Sequence, residues 1–160
     1  MLTEGRDLMR LNRWTILAAL CLTLVCGELA PARAQTAEPA TITAADLAAM
    51  LKKPAGERPL VIQVGFKVMF DQAHIPGSEY IGPGSDANGI AELRKRVGPL
   101  KRDAVIVLYC GCCPWERCPN VRPAAALLTS MGFTHMKVLH IADNFGADGV
   151  SKGYPTQKGQ

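Results

Sequence analysis

The 160-residue sequence lacks several features that would place it in a common class of protein. It has no uncharged run as long as the ~20 residues that a membrane-spanning helix needs. It also has no basic run and no internal repeat. Lys and Arg outnumber Asp and Glu by only 18 to 14, which gives a formal net charge of +4. Because a nucleic-acid-binding surface normally shows a concentrated basic patch, no nucleic-acid partner is expected.

The uncharged stretch from Trp14 to Gly27 has the organisation of a secretory signal peptide. A front with three arginines precedes it, and the small-x-small sequence Ala32-Arg33-Ala34 follows it. We therefore expect residues 1–34 to be a signal peptide. The mature protein is then exported, periplasmic or secreted, with no membrane span. The alternative is an uncleaved membrane anchor, but the stretch is shorter than the ~20 residues of a spanning helix.

Beyond this stretch, signals for strands and helices alternate along the chain. Residues 35–41 are polar and predict a short flexible leader, and residues 42–157 predict a single domain. Apolar, β-branched runs such as "LVIQV" and "AVIVLY" predict strands, whereas "NVRPAAALLTSMGF" has the spacing of a helix. This alternation predicts an α/β fold with a largely parallel central sheet and helices on both faces.

Particular residues mark the predicted helix boundaries. Thr43 is placed to cap a first helix, with Asp46 three positions later. Asn120 is a candidate cap for the helix that follows the cysteine-rich loop. Gly132 is expected to end that helix, because glycine readily adopts the left-handed conformation that closes one.

Four of the six cysteines lie within the nine residues "CGCCPWERC". They are Cys110, Cys112, Cys113 and Cys118, and the other two fall in the predicted signal peptide. Export would bring this loop into an oxidising compartment, where disulfides persist. The loop could therefore supply a nucleophile, a redox pair, a metal site or a structural disulfide.

The order of motifs from Thr41 to Thr156 resembles the rhodanese family of sulfurtransferases. The family's opening helix and strand are similar to "ITAADLAAML" and "LVIQV", and its histidine turn is similar to "AHIPGS". Its active-site strand is similar to "VIVLYC", and "RPAAALLTSMGFTHMKVL" and "GYP" follow in the family's order. Several features depart from the family, and one is that Ile141, Ala142 and Asp143 replace the glycine pair expected after "KVLH". The loop after Cys110 is longer than usual, and Gln63 and Gly65 stand where members often carry an acidic residue and an arginine.

The resemblance implies a rhodanese-like fold and an activity. A sulfurtransferase of this kind moves sulfane sulfur from a donor such as thiosulfate to a thiol or other thiophilic acceptor. The sulfur is carried as a persulfide on the strand-end cysteine, here Cys110, and no cofactor or metal ion is implied. A strand-to-helix loop is expected to lower the pKa of Cys110 and to make it the most reactive of the four thiols.

Other residues of the loop are assigned supporting roles. Arg117 and Arg122 are the nearby cations expected to bind a small anionic sulfur donor. The remaining thiols, which are expected to resolve the persulfide or to form disulfides, are those of Cys112, Cys113 and Cys118. The expected partners are therefore a small sulfur-donor anion, a thiol acceptor and, for the disulfide chemistry, a redox partner protein.

Four alternatives remain open for the same loop. Cys112 has four residues between itself and Arg117, a spacing that also resembles the family's loop, so Cys112 is a second candidate nucleophile. Cys110 and Cys113 form a C-x-x-C pair, which is the minimal switch of a thiol-disulfide oxidoreductase. Four thiolates can also bind Cu(I) or Zn. A disulfide between Cys113 and Cys118 would simply stabilise the enlarged loop.

Several further residues are expected near the cysteine loop. Because the carboxyl ends of parallel strands share one edge of a sheet, Lys67, Asp143 and Asn144 are expected within reach. His74 and His140 are candidate bases, but each is more often a structural histidine in such a context. Trp115 is expected either to shape the rim of a pocket or to anchor the loop on the domain.

Overall fold

A computed structural model describes residues 38–159 of the chain. The predicted signal peptide and the first part of the predicted leader lie outside the described residues. Within them, five strands form one sheet in the order β1-β5-β4-β2-β3, and every neighbouring pair is parallel. The strands are β1 Thr41–Ile42, β2 Leu60–Gln63, β3 Glu79–Tyr80, β4 Ile106–Tyr109 and β5 Met136–Leu139.

Four α-helices and three shorter helical turns connect these strands. The helices are α1 Ala44–Leu51, α2 Lys67–Gln72, α3 Ala87–Val97 and α4 Val121–Ser130. The shorter turns are the 3-10 turns Ala55–Glu57 and Trp115–Arg117 and the π-helical turn Gly146–Val150. The predicted α/β fold with a parallel sheet is confirmed, and Thr41, counted with the leader in the sequence, belongs to β1.

The four residues of β4 are all buried and alternate between the two faces of the sheet. On one face, Leu108 lies in a cluster with Leu93 of α3 and Leu128 of α4. On the other face, Tyr109 lies in a cluster with Leu47 of α1. Because β4 is covered on both sides, its sequence is apolar throughout, and the predicted placement of helices on both faces is confirmed.

The structure confirms the three predicted helix boundaries. Thr43 caps α1, and its side-chain oxygen accepts the backbone N–H of Asp46 at 3.1 Å. Gly132 follows the end of α4 with a φ of +84°, as expected of a helix-closing glycine. α4 begins directly after Asn120, which occupies the N-cap position as predicted, but the Asn120 side chain makes no hydrogen bond to the start of the helix. It is directed to the cysteine loop instead.

The sequence does not predict α2, Lys67–Gln72. This helix is only six residues long, and the residue before it, Phe66, offers no side chain that can cap its N–H groups. Its single buried residue is Phe70, which is too little for a recognisable helical pattern. No helix among residues 38–159 combines the length and the apolar character needed to cross a bilayer.

Candidate functional site

The cysteine-rich loop begins where β4 ends, at the carboxyl edge of the parallel sheet. Cys110 directly follows Tyr109 and is only 1 % exposed. Its position depends on Gly65, which follows the neighbouring strand β2. A Cβ atom at Gly65 would lie 2.8 Å from the Cys110 sulfur and 2.9 Å from the Cys110 carbonyl oxygen. Gln63 of β2 donates from Nε2 to that same carbonyl oxygen at 3.2 Å. Gln63 and Gly65, which depart from the family's pattern at the end of β2, therefore both lie against Cys110.

Sulfur atoms contact one another along the loop. The Sγ atoms of Cys110 and Cys112 lie 3.3 Å apart, and those of Cys112 and Cys113 lie 3.1 Å apart. Cys118 completes a group of three with Cys110 and Cys112, whose Sγ atoms all lie within 4.8 Å of one another. All four cysteines are free thiols in this structure. Cys110 and Cys118 are buried, whereas Cys112 and Cys113 are partly exposed.

Asn120 is the functional residue that the sequence assigned to another role. It is completely buried, and its Oδ1 accepts the backbone N–H of Ser85 at 3.1 Å and the Ser85 hydroxyl at 2.7 Å. These two bonds fix the amide, so that its Nδ2 donates to the Cys110 sulfur at 3.4 Å. Gly84 allows this approach, because a Cβ atom there would lie 2.1 Å from the Asn120 carbonyl oxygen. A fixed N–H donor stabilises negative charge on the Cys110 sulfur.

The two buried thiols have pKa values that are displaced in opposite directions. The pKa of Cys118 is lowered, first by the neighbouring Cys110 thiol and then by the nearby backbone N–H groups of Val121 and Asn120. The pKa of Cys110 is raised, because its thiol donates to Cys118 and is buried. The expectation of a lowered pKa at Cys110 is therefore wrong. The backbone N–H groups at the start of α4 lie near Cys118, because the enlarged loop places Cys118 directly before this helix.

A cavity of about 220 Å³ opens beside the loop and reaches Cys110 and Gly111. Its remaining walls carry apolar side chains and neutral amides, and no charged residue lines it. Asn144 lies in the wall, as expected from its position after β5. Gln63 lines it too, and its Oε1 is a buried acceptor without a hydrogen-bond partner in the described part of the chain. The cavity therefore has room for a small molecule and presents one unpartnered hydrogen-bond acceptor to it.

The two predicted donor-binding arginines are exposed, Arg117 in the loop and Arg122 in the first turn of α4. Arg117 ends the 3-10 turn that begins at the buried Trp115. The side chain of Arg122 is 61 % exposed, and its Nη1 donates to the carbonyl oxygen of Glu116 at 3.1 Å. The cavity beside Cys110 includes neither of them. The structure thus does not bring these arginines together with the cysteine sulfurs.

Two of the other predicted neighbours, His74 and Trp115, make structural contacts. His74 is buried and stacked on Phe70 with ring centroids 3.9 Å apart, and its backbone pairs with Gln157. Trp115 is 8 % exposed, and its backbone N–H donates to the carbonyl oxygen of Ile141 at 3.0 Å, which anchors the loop on the domain. His140 is exposed, with its ring centroid 6.5 Å from that of Trp115.

The chain matches the rhodanese-like domain family over residues 43–141. It is 24% identical to the BH2092 protein from Bacillus halodurans, covering 75% of this chain and 77% of that one, with a TM-score of 0.56. The Alr3790 protein from Anabaena sp. is 22% identical over 74% of this chain and 92% of its own, with a TM-score of 0.55. An NMR structure of the rhodanese-like domain of Alr3790 is 24% identical, covers 76% and 80%, and has a TM-score of 0.52. No curated protein matches the chain.

Proposed function

Because the chain belongs to the rhodanese-like domain family, we propose that it is a sulfurtransferase that carries sulfane sulfur as a persulfide on Cys110. The observation that carries the proposal is the hydrogen bond from the fixed Asn120 amide to the Cys110 sulfur. Cys110 also stands at the carboxyl edge of the sheet, where parallel α/β folds place their sites. The cavity beside it has room for a small sulfur donor.

Cys118 supplies the base that a buried Cys110 thiol needs. Its sulfur carries the lowered pKa, because Cys110 and the backbone N–H groups at the start of α4 donate to it. The Cys118 thiolate accepts the proton as the Cys110 sulfur attacks the donor, and the charge then rests on a sulfur that backbone donors already stabilise. With thiosulfate, the S–S bond of the donor breaks, sulfite leaves, and the transferred sulfur remains on Cys110.

The partners that follow from this proposal are a small sulfur donor and a thiol acceptor. An anionic donor such as thiosulfate would first meet Arg117 on the surface of the loop, since the cavity itself is uncharged. We also propose that the protein is exported, so that a redox partner protein would be needed to keep the loop cysteines reduced.

Labelling of the loop by thiosulfate tests the proposal directly. The reduced protein is incubated with thiosulfate without oxygen, alkylated and digested, and the peptides are analysed by mass spectrometry. One sulfite is expected per protein molecule, and the transferred sulfur is expected either on Cys110 as a persulfide or, once a loop thiol has displaced it, in solution as sulfide. A loop that releases no sulfite, or acquires sulfur only on Cys113, would contradict the assignment.

The group of three sulfurs also favours a second candidate function, the binding of a soft metal ion. The Sγ atoms of Cys110, Cys112 and Cys118 lie within 4.8 Å of one another, and thiolates select Cu(I) and Zn. Metal is not expected to be required for folding, because both faces of the sheet are covered by apolar side chains. Thermal unfolding with and without a strong chelator is therefore expected to coincide. A loss of helical circular dichroism on chelation would instead favour the metal-binding function.

A further inference from the structure

We propose that Cys112 resolves the persulfide on Cys110, so that the loop releases sulfide and is left with a disulfide between these two cysteines. The inference rests on the proposed persulfide and adds a second activity to it. The loop would then reduce sulfane sulfur to sulfide with electrons from its own thiols, rather than only pass the sulfur to an acceptor.

The contact between the two thiols carries this inference. Their Sγ atoms are 3.3 Å apart, so the Cys112 sulfur is already beside the sulfur that would bear the persulfide. Gly111 between them has a φ of +90°, a left-handed conformation that turns the chain back on itself and that side chains disfavour. A Cβ atom at Gly111 would also lie 2.9 Å from the Cβ of Phe145. Glycine at this position thus permits the Cys110–Cys112 contact.

The other two thiols are less suited to this step. The Cys118 sulfur also lies within 4.8 Å of the Cys110 sulfur, but Cys118 is buried, and in the proposed loading step it takes up the proton of Cys110. Cys113 contacts Cys112, but it does not belong to the group of sulfurs around Cys110. The C-x-x-C pair that the sequence offers, Cys110 with Cys113, is therefore not the pair that the structure favours.

The chemistry balances without an external oxidant. The Cys112 sulfur attacks the Cys110 Sγ, a Cys110–Cys112 disulfide bond forms, and the bond between Cys110 Sγ and the outer sulfur breaks. The outer sulfur leaves as hydrosulfide with the proton of the Cys112 thiol. The two cysteine sulfurs are oxidised to the disulfide, and the sulfane sulfur is reduced to sulfide.

A dithiol is the class of reductant that would regenerate the loop. One of its thiols attacks the disulfide at Cys112, and its second thiol then displaces Cys112, which leaves two free cysteines and an oxidised dithiol. The partial exposure of Cys112 makes its sulfur the accessible end of the disulfide, since Cys110 is buried. The disulfide would therefore be open to a dithiol-bearing partner protein.

The test compares Cys112→Ser with Cys113→Ser, a matched change of the neighbouring, equally half-buried thiol. Each reduced protein is loaded with thiosulfate without oxygen and without added thiol, and sulfide, free thiols and peptide masses are measured. Wild type and Cys113→Ser are expected to release one sulfide per molecule, to lose two thiols, and to show a Cys110–Cys112 disulfide. In Cys112→Ser, sulfide release is expected to fall about a hundredfold or more, because an intramolecular attack is lost. Its persulfide should accumulate on Cys110.

The outcomes separate this inference from the proposed sulfurtransferase. If neither wild type nor Cys112→Ser acquires sulfur on Cys110, the sulfurtransferase fails and the resolving step fails with it. If wild type keeps its persulfide without releasing sulfide, or if the disulfide joins Cys110 to Cys118, only the resolving role of Cys112 is overturned. Should Cys112→Ser not fold, the peptide map of the wild-type disulfide decides the question by itself.

Discussion

Cys110→Ser is expected to reduce the transfer of sulfur from thiosulfate to cyanide to the uncatalysed rate. A hydroxyl oxygen in place of the sulfur cannot be converted to a persulfide, so the step that the family's chemistry depends on is lost. The substitution is conservative in size, and the amide of Asn120 can still donate to the new hydroxyl. Formation of thiocyanate, followed over time, measures the loss.

Two further variants decide how this result is interpreted. Cys113→Ser is the matched control and is expected to retain transfer, because the Cys113 sulfur lies outside the group of three around Cys110. Cys110→Ala removes the hydroxyl as well and is expected to be equally inactive. If both Cys110 variants transferred sulfur at the wild-type rate, Cys110 would not be the sulfur carrier. Another loop cysteine would then carry the sulfur, and Cys112 would be the first candidate.

Asn120→Asp is expected to slow sulfur loading of Cys110 at neutral pH by about tenfold or more, which corresponds to a rise of at least one unit in the pKa of Cys110. The new carboxylate can keep both hydrogen bonds from Ser85. Its second oxygen, however, replaces the N–H donor that lies 3.4 Å from the Cys110 sulfur. A negative charge at that distance repels both the attacking thiolate and the persulfide anion. The loading rate across a series of pH values measures the effect.

Ser85→Ala supplies the control for this prediction. It removes the hydroxyl that holds Asn120 Oδ1 at 2.7 Å, but leaves the backbone N–H of Ser85 and the amide donor to Cys110 in place. A much smaller loss of rate is expected than for Asn120→Asp. Equal rates for wild type and Asn120→Asp, with unchanged thermal unfolding, would show that the Asn120 amide does not act on the Cys110 sulfur.

Much of the fold was predictable because its signals are local. The β-branched run that ends at Tyr109 forms β4, and its uniformly apolar character indicates that both faces of the strand are covered. Thr43 and Gly132 mark helix ends through their own side-chain and backbone chemistry. The position of Cys110 at the end of β4 followed from the same local pattern. By contrast, α2 escaped prediction because it has neither a cap nor a repeated apolar face.

The residues around Cys110 illustrate what a local signal cannot supply. Asn120 before a helix is a capping residue by sequence, yet its amide bonds Ser85 and Cys110 instead. In the sequence, Gly65 and Gln63 are recognisable only as departures from a family pattern. In the structure, they lie against Cys110 at the end of the neighbouring strand. These partners lie far apart in the chain, and a parallel sheet brings them to one edge.

The sequence by itself determined the α/β architecture, the position of Cys110 at a strand end, and the concentration of thiols in one loop. Only the tertiary structure decided which of these thiols lie together, which one is stabilised as a thiolate, and where the arginines are. The physical reason is that periodicity and capping are properties of neighbouring residues. Thiol pairing and pKa depend instead on burial and on hydrogen-bond donors contributed by other parts of the chain. The start of α4 provides those donors to Cys118, and the left-handed turn at Gly111 brings Cys112 to Cys110.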